Sequence, residues 1–371
     1  MVHTVTFSPF IDSVLSKLVP TGTRRSQRAM SVEGTLEHMA RLLFHSDGIN
    51  ERGGSTSIVG YMKSLVNEGH HVTWASEATS ANHMAIIEKY SKTFQIDIYK
   101  DFKKYSKSAS KNSDWSYFMK KGPNDGKIFP GVPCNVHAVF KYYEPHGDSY
   151  AYISEWLAFS SASLAIPLIP RRLKNRIPNP FLKLDWVPYG VDVEQSTKTL
   201  RANWGIPEEA KVILRYGGNN TFDIPWVIEE IIWQLHENPN LYFVGVNTIK
   251  FTDHPRAIFL PPIYSNHEKA NMLASADIIL HARLQGESFG MVILEAMQAG
   301  RDILAWSGGW DRNHTKLLDS KCLYVNRKDL RLKLSKKRPN GTILKNLEMA
   351  NNFRIANVMP KFKEVFGSGI L

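Results

Sequence analysis

The segment from Gly286 to Gly300 reads Gly286-Glu-Ser-Phe-Gly-Met-Val-Ile-Leu-Glu-Ala-Met-Gln-Ala-Gly300 and lies between apolar runs at residues 277–281 and 303–306. The two runs have the composition of buried parallel strands, and the apolar spacing between them predicts a helix whose interior is residues 291–299 and which stops at Gly300. A strand, a helix and a second strand in this order form a βαβ unit. The segment therefore predicts a parallel sheet with a helix beginning at its carboxyl edge.

The start of this helix carries groups suited to an anion. Glu287 ends the preceding loop, and a helix that opens at Ser288 or Phe289 has unpaired peptide N–H groups in its first turn. Unpaired N–H groups and the helix dipole bind phosphate. The amides concerned are those of Phe289, Gly290, Met291 and Val292.

Glu295, about two turns into the helix, lies among apolar neighbours, where an unpaired carboxylate is costly. Ribose hydroxyls would be a suitable partner, and Glu287 can reach the same cleft and accept hydrogen bonds from a sugar. The structural alternative is that Glu295 pairs with a lysine on a helix surface and Glu287 caps the helix. Spacing alone leaves both interpretations open.

The same alternation of strand and helix occurs in both halves of the chain, which predicts two doubly wound sheets. In the first half it covers residues 42–45, a glycine turn at 47–54, a helix at 57–68 and a strand at 71–74, with further strand-like runs at 132–139 and 150–154. In the second half it covers strands at residues 212–216, 241–246 and 276–281 and a helix at 224–236.

A chain of 371 residues suits two domains. We predict an α/β fold of two Rossmann-like domains facing a cleft. The predicted divisions are an extension over residues 1–40 that packs on the first domain, an acceptor-side domain over 41–188, a nucleotide-sugar-binding domain over 189–345, and a helical segment over 346–371 that returns to the first domain.

The net charge of +11 favours anionic partners such as a nucleotide diphosphate, nucleic acid or an acidic membrane surface. Much of it comes from three basic runs, although the ordinary explanation of each run is a solvated face. The runs lie at residues 103–121, 171–176 and 333–338. Because residues 101–127 are also polar and poor in periodicity, we expect a mobile excursion there that could hold an acceptor.

The cysteines, the apolar runs and the acidic residues limit the class of protein. The two cysteines, Cys134 and Cys322, match no metal or disulfide spacing, and no run approaches the roughly 20 apolar residues of a membrane span. No compact Asp/Glu/His cluster demands a metal. We expect a cytoplasmic protein, with peripheral contact to an anionic membrane or nucleic acid through the basic runs, and no prosthetic group.

The spacing of Glu287 and Glu295, with Ser-Phe-Gly after the first and Ala-Met-Gln-Ala-Gly after the second, resembles the E-x7-E segment of the retaining family-4 glycosyltransferases of the GT-B fold. Two other segments are similar to that family: the Gly-Gly turn at Arg52-Gly53-Gly54 with Gly69-His70-His71-Val72, and Val187-Pro188-Tyr189-Gly190-Val191-Asp192. The likeness covers most of residues 41–330.

The resemblance implies transfer of a sugar from a UDP- or GDP-sugar co-substrate to a glycan or glycoconjugate hydroxyl, with retention. It implies that Glu295 binds the donor ribose and Glu287 a hydroxyl of the transferred sugar. His137, after a strand, matches an active-site histidine of the family; His146 is its rival, and a structural role for His137 is the alternative. The donor-binding positions are completed by Ser288, Phe289, Gly290, Met291, Val292, Gly53, Gly54, Arg215, Gly217, Gly218 and Ile263.

One departure from the family concerns the donor diphosphate. The family usually has Gly-Arg and then a lysine after the first strand of the second domain, where this chain has Arg215-Tyr-Gly217-Gly218-Asn-Asn-Thr-Phe-Asp223. The balancing charge must come from Arg215, Lys250, Arg283 or backbone donors.

Two other functions remain compatible with the sequence. A transferase of the same fold could act on nucleic acid, and its binding would then weaken steeply with salt. A non-catalytic protein could keep the fold and bind a nucleotide or polyanion without releasing sugar.

Overall fold

The computed structural model describes residues 39–50, 53–165 and 182–371. The extension expected over residues 1–40 lies outside the described residues apart from its last two positions, as does the basic run at 171–176. From residue 39 onward the chain forms one compact unit. Two parallel sheets organise it.

The first sheet has seven strands among the described residues, in the order β3-β2-β1-β4-β5-β6-β7, and all of its neighbours are parallel. Its central strands are buried along nearly their whole length, as expected when helices cover both faces of a parallel sheet. The strands are β1 (Arg41–His45), β2 (His71–Glu77), β3 (Gln95–Tyr99), β4 (Trp115–Lys120), β5 (Cys134–Ala138), β6 (Ser149–Tyr152) and β7 (Asp185–Trp186).

The second sheet has six described strands in the order β10-β9-β8-β11-β13-β15, again all parallel. A separate two-stranded ladder joins β12 to β14 beside its carboxyl edge. The strands are β8 (Lys211–Tyr216), β9 (Leu241–Val246), β10 (Ala257–Leu260), β11 (Ile278–His281), β12 (Gly286–Glu287), β13 (Ile303–Trp306), β14 (Asp311–Arg312) and β15 (Leu323–Tyr324).

Eleven α-helices occur among the described residues. They are α1 (Gly53–Asn67), α2 (Met84–Ser91), α3 (Phe102–Ala109), α4 (Glu155–Ala162), α5 (Pro225–Glu237), α6 (Asn266–Ala274), α7 (Met291–Gln298), α8 (Asn313–Leu317), α9 (Arg327–Leu334), α10 (Asn340–Asn351) and α11 (Ile355–Phe366). The predicted α/β class with two doubly wound sheets is confirmed.

The prediction of a mobile excursion over residues 101–127 is wrong. Helix α3 and the central strand β4 occupy much of this segment. Asp101 caps α3 by accepting from the amide of Lys104 at 3.0 Å, and Phe102 and Tyr105 pack on the core of the first sheet. The many lysines hid an amphipathic helix, because they lie on its exposed face while its apolar positions are few.

The C-terminal helices contact the first sheet and helix α7. In α11, Phe362 packs on Tyr61 of α1 with ring centroids 4.4 Å apart, and the indole N–H of Trp115 donates to the carbonyl of Phe366 at 2.6 Å. In α10, the carbonyl of Ala350 accepts from the side-chain amide of Gln298 in α7 at 3.1 Å. The last two helices therefore tie α7 to the first sheet.

The carboxyl edges of the two sheets face each other. Ser154, after β6, donates from Oγ to the carbonyl of Ser288, after β12, at 2.6 Å. Lys89 of α2 donates to the carbonyl of Tyr264, before α6, at 3.1 Å. In doubly wound folds ligands bind at these edges, so the candidate site lies between the two sheets.

Candidate active site

Helix α7 begins at Met291, two or three residues after the opening predicted at Phe289 or Ser288. Gly290 is its N-cap with φ 101° and ψ 50°, a left-handed conformation that glycine adopts without strain. The amides of Ile293 and Leu294 both donate to the carbonyl of Gly290. The N–H groups left without an intrahelical partner at the start of the helix are therefore those of Met291 and Val292.

The two residues before the N-cap are fixed by their carbonyls and by packing. The carbonyl of Ser288 accepts from Ser154, and that of Phe289 accepts from the side-chain amide of Asn313 at 2.6 Å. The ring of Phe289 is buried and lies 5.1 Å from that of Tyr189 between centroids. Ser288 and Phe289 thus position the backbone that leads into the helix, and the phenylalanine side chain belongs to the core.

Glu287 is held by two side chains from the loop before it. Its Oε1 lies 2.9 Å from Nε2 of His281, and its Oε2 lies 3.3 Å from Nη1 of Arg283. Burial favours the neutral acid, but the hydrogen bond from His281 and the attraction of His281 and Arg283 outweigh it and lower the pKa of Glu287. Glu287 is therefore a carboxylate at neutral pH, and its side chain is 20% exposed.

The backbone fixes the position of this carboxylate. Glu287 pairs with Arg312 in the β12–β14 ladder, and Gly286 pairs with Asp311. Gly286 has φ 78°, and a Cβ placed there would lie 2.0 Å from the carbonyl oxygen of Asp311. Only glycine fits this position, so Gly286 allows the ladder to close and to aim Glu287 at the sheet edge.

Glu295 forms an ion pair with Lys269 of the neighbouring helix α6, with Nζ 2.8 Å from Oε1. The Glu295 side chain is 11% exposed. The carboxylate raises the pKa of Lys269 more than burial lowers it. The sequence left open that Glu295 pairs with a lysine on a helix surface, and the structure shows such a pair. The lysine bonds to one of the two carboxylate oxygens.

Arg215 is buried beneath the loop that follows β8. One of its terminal nitrogens donates to the carbonyl of Asn247 and to Thr248, each at 2.8 Å. The other donates to the carbonyl of Gly218 at 2.5 Å and to Thr221 at 2.7 Å. Burial lowers the pKa of Arg215 to about 10, yet it remains charged at neutral pH. The guanidinium therefore ties the loops after β8 and β9 together.

The loop after β8 lies against the start of α7. The hydroxyl of Tyr216 donates to the carbonyl of Val292 at 3.0 Å. A Cβ at Gly217, whose φ is 142°, would lie 3.6 Å from the Val292 side chain and 3.5 Å from the Arg215 guanidinium. Gly217 thus lies next to Val292 at the start of α7, while Gly218 packs against Thr221.

His137 is placed in the core of the first sheet. It is fully buried, its Nδ1 lies 2.6 Å from the hydroxyl of Tyr117, and its Nε2 donates to the carbonyl of Val187 at 2.8 Å. Both ring nitrogens are hydrogen-bonded within the core, so neither can bind a sugar in this arrangement. This geometry supports the structural role that the sequence left open for His137, and we leave His137 out of the proposed site. Its rival His146 bonds from Nδ1 to the carbonyl of Glu144 at 2.7 Å.

The remaining donor-binding candidates lie around the cleft. Gly53 and Gly54 form the first turn of α1, and a Cβ at Gly54 would lie 3.2 Å from the Met119 side chain. Ile263, between β10 and α6, is partly buried against the core of the second sheet. No contact joins these three residues to Glu287 among the described interactions.

Two of the three possible cations have other partners. Lys250 is exposed and pairs with Asp253 at 2.5 Å. Arg215 donates from both terminal nitrogens to groups in the loops after β8 and β9. Among the described residues Arg283 makes one ion pair, with Glu287 at 3.3 Å, and its side chain is 26% exposed. Of the three, Arg283 is the one whose charge lies beside the site without being committed to the backbone.

The basic runs are less uniform than the sequence suggests. Lys103, Lys104 and Lys107 are exposed on α3, but Lys120 is buried and bonds to Asp125 at 2.5 Å. In the last run, Arg338 is buried against Asp302. Both of the described runs therefore include a buried ion-paired residue as well as solvated ones.

Sequence reasoning did not assign a role to three residues in this region. Ser154, His281 and Lys269 each make a hydrogen bond to a site residue from a separate element. The signal for His281 was its place at the end of a buried strand, six residues before Glu287. Nothing in the spacing connects Lys269 to Glu295, because α6 and α7 meet only in the folded chain.

A cavity of about 350 Å³ lies at the opposite, amino edge of the second sheet, where β8, β11 and β13 begin. Arg201 and Asp277, both in its wall, are paired at 2.8 Å. It has no residue in common with the site around Glu287. Among the residues that the structure describes, no cluster of three or more metal-ligating side chains occurs, and no helix is long and apolar enough to cross a membrane.

No protein-family model matches the chain, and no curated protein matches it in sequence. Solved structures are similar in fold. HepE from Anabaena in complex with UDP and glucose is 14% identical with a TM-score of 0.65, covering 89% of this chain and 100% of that one. A glycosyltransferase from Rickettsia africae is 13% identical with a TM-score of 0.66, covering 88% and 98%.

Sucrose-phosphate synthase from Thermosynechococcus elongatus is 12% identical with a TM-score of 0.62, again covering 88% of this chain and 98% of that one. At such identities the likeness concerns the fold. Together with the two facing parallel sheets, it shows that this chain has the GT-B architecture of nucleotide-sugar glycosyltransferases.

Proposed function

We propose that this protein is a glycosyltransferase that moves a sugar from a nucleotide-diphosphate donor to a hydroxyl of a glycan or glycoconjugate, with retention of configuration. UDP is the proposed nucleotide, because HepE, similar in fold, was solved with UDP, with UDP-glucose, and with UDP and glucose. We further propose that the second sheet holds the donor and the first sheet the acceptor.

The observation that carries the proposal is the arrangement at the start of α7. An ionised carboxylate, Glu287, lies beside the unpaired amides of Met291 and Val292, and Glu295 follows on the same helix. In this arrangement the amides and the helix dipole hold the diphosphate, Glu287 accepts from hydroxyls of the transferred sugar, and Glu295 accepts from the ribose.

The charge of the donor diphosphate is balanced from the loop before Glu287 in this proposal. Arg283 lies beside the helix N-terminus through its contact with Glu287, which is its one ion pair within the described part of the chain. It thus takes the place of the cations that family members carry after the first strand of the second domain. A guanidinium suits this role because its forked donors match phosphate oxygens.

The chemistry asks little of side chains as acids or bases. The bond from the sugar to the diphosphate breaks while the acceptor hydroxyl approaches the same face, and the departing phosphate oxygen takes the acceptor proton. The protein contributes positioning and electrostatic stabilisation of the leaving diphosphate. His281 contributes indirectly, by keeping Glu287 ionised and oriented.

The test is a panel of UDP-, GDP- and ADP-sugars, each with and without acceptor extract, in which nucleotide release is measured. We expect UDP release with at least one UDP-sugar, lower turnover for Glu287→Gln and weaker donor binding for Glu295→Gln. The transferase proposal fails if no donor turns over and both variants bind nucleotides like the parent.

A further inference from the structure

Helix α3 and the residues next to it carry a basic surface that the proposed function does not use. Residues 100–111 contain five lysines and one acidic residue, Asp101. All five lysines are exposed, and none of them forms an ion pair among the described residues. We name these five residues the α3 basic face: Lys100, Lys103, Lys104, Lys107 and Lys111.

Helix geometry gathers most of these lysines on one side. Helix α3 ends at Ala109 and continues into a 3₁₀ turn over Ser110–Asn112. With about 100° of rotation per residue, the four lysines from position 103 onward lie within a sector of about 100°. The buried residues Ser106 and Ala109 lie outside this sector. The lysines therefore share one exposed surface.

The other side of α3 is fixed to the first sheet. Tyr105 packs on the core of this sheet, and its ring stacks on that of Tyr99 with centroids 4.6 Å apart. The Tyr105 hydroxyl donates to Oδ2 of Asp97 at 2.8 Å. Asp101 caps the helix by accepting from the amide of Lys104. The carboxylates of Asp97 and Asp101 thus bond to other groups and not to the lysine ammonium groups of the face.

The α3 basic face begins on the side of the first sheet where the cleft lies. Strand β3 ends at Tyr99, and Lys100 and the N-cap residue Asp101 follow directly. Because β3 is parallel to its neighbour, its last residue lies at the carboxyl edge of the sheet. That edge faces the second sheet, so a partner bound to the face lies next to the cleft.

We propose that the α3 basic face binds the surface of a membrane that contains anionic lipids. Four or more basic residues on an amphipathic helix are typical of such binding, because each one is attracted by the negative headgroups. Lysine suits this partner, since a compact charge on a flexible stem needs no fixed geometry of acceptors. The apolar side of α3 packs on the protein, so the attraction is electrostatic and the helix lies on the headgroups. This inference goes beyond the proposed function and does not depend on it.

The shape and composition of the face favour lipid over nucleic acid. Sites for single-stranded nucleic acid combine a positively charged groove with aromatic side chains on which bases stack. Within residues 100–111, all of which the structure describes, both aromatic residues, Phe102 and Tyr105, pack on the core and no arginine occurs. The outer side of a helix is convex and forms no groove. A convex surface of lysines fits a flat anionic layer better than a polynucleotide.

The experiment measures co-sedimentation of the full chain with vesicles. One set contains phosphatidylcholine alone, and the other contains equal parts of phosphatidylcholine and phosphatidylglycerol. We expect the parent to bind only the second set and to be released at about 1 M salt, where the Debye length is about 3 Å. The triple variant Lys103→Gln, Lys104→Gln and Lys107→Gln should bind about 100-fold more weakly, because each lysine contributes about five-fold.

The matched control is a second triple variant, Lys328→Gln, Lys336→Gln and Lys337→Gln. It removes the same charge from exposed lysines in and after α9. Glutamine and lysine have similar helix propensities, so both variants should fold like the parent. The control should keep most of the binding to the vesicles that contain phosphatidylglycerol.

Three results would overturn the inference: the parent does not prefer the vesicles that contain phosphatidylglycerol, the α3 variant binds them like the control, or oligothymidine binds the parent more tightly than these vesicles and depends on the same lysines. None of these measurements uses a sugar nucleotide. Failure here therefore leaves the proposed function standing, and failure of every donor to turn over leaves the membrane contact standing.

Discussion

The imidazole of His281 lies 2.9 Å from the carboxylate of Glu287, with Nε2 facing Oε1. An ionised carboxylate can only accept, so Nε2 is the protonated nitrogen and the tautomer is fixed. The lowered pKa of Glu287 has this hydrogen bond as its main favourable cause. The end of strand β11 therefore decides both the charge and the orientation of the carboxylate beside α7.

Removing this donor should make Glu287 harder to ionise. We expect His281→Leu to move the acidic limb of the pH–turnover profile to higher pH, because the pKa of Glu287 rises when the hydrogen bond is lost. At neutral pH the loss of one charge-assisted hydrogen bond predicts about ten-fold lower turnover. His281→Gln keeps a donor at similar reach and should recover much of the profile. An unshifted acidic limb in His281→Leu would show that His281 is only structural.

A donor analogue without ribose hydroxyls can distinguish the proposed ribose contact of Glu295 from its ion pair with Lys269. If Glu295 accepts from ribose hydroxyls, the parent should bind UDP about ten-fold more tightly than 2′,3′-dideoxy-UDP, and Glu295→Gln should lose most of that preference. Lys269→Met should keep the preference, because the carboxylate remains. Calorimetric titration of both ligands gives the answer. Equal preference in all three proteins would leave the ion pair as the whole role of Glu295.

Arg215 should contribute strongly to the free energy of unfolding. Its guanidinium is buried and donates to four groups in two loops, so Arg215→Met removes those bonds and strands their acceptors. We expect a loss of about 3–5 kcal/mol in the free energy of unfolding. Lys250→Met, at an exposed ion pair, should change it by less than about 1 kcal/mol. Urea unfolding of both variants measures the difference, and similar values would contradict the assignment.

The strands and helix α7 were predictable because their apolar runs are local signals that burial in a parallel sheet demands. Leu241–Val246 and Ile303–Trp306 agree with the structure at both ends. The sequence did not predict helix α3 and strand β4, because the lysine-rich stretch around them is typical of a solvated loop. Their identity depends on burial of Tyr105 and Trp115, which local composition does not reveal.

The site was predictable only in part. Glu287, Glu295 and the amides after Gly290 follow from one helix and its loop, but their partners come from elsewhere in the chain. Lys269 reaches Glu295 across 26 positions, and Ser154 reaches Ser288 across 134. For His137 the sequence leaves an active-site role and a core role open, because a histidine near a strand end can have either, and its buried bond to Tyr117 supports the core role.

Gly286 offers a test of how rigidly Glu287 must be held. In Gly286→Ala the added Cβ would meet the Asp311 carbonyl, so β12 and β14 must separate and move Glu287. We expect loss of most turnover and a destabilisation of roughly 2–4 kcal/mol. Gly300→Ala is the matched control: its φ is 63° but nothing lies within 4 Å of its Cβ, so only about 1–2 kcal/mol of backbone strain is expected. Equal turnover in the two variants would argue against positioning by the ladder.

His137 should be visible in the pH dependence of stability. Burial lowers its pKa from 6.5 to about 4, so between these values the unfolded chain binds a proton that the folded chain does not. Its contribution is complete above pH 6.5 and is lost as the pH falls toward 4, by roughly 3 kcal/mol in all.

His137→Phe removes this titration, although it also sacrifices the bonds to Tyr117 and Val187 and should be less stable than the parent at pH 7.5. The informative quantity is therefore the change with pH, measured by urea unfolding at pH 7.5, 6.0 and 5.0. The variant should lose less stability than the parent over this range, because its unfolded chain no longer takes up a proton at this position. His45 and His314, whose pKa values are lowered by burial to about 3 and about 4, remain in both proteins and contribute equally to both curves. Parallel curves would contradict the lowered pKa of His137.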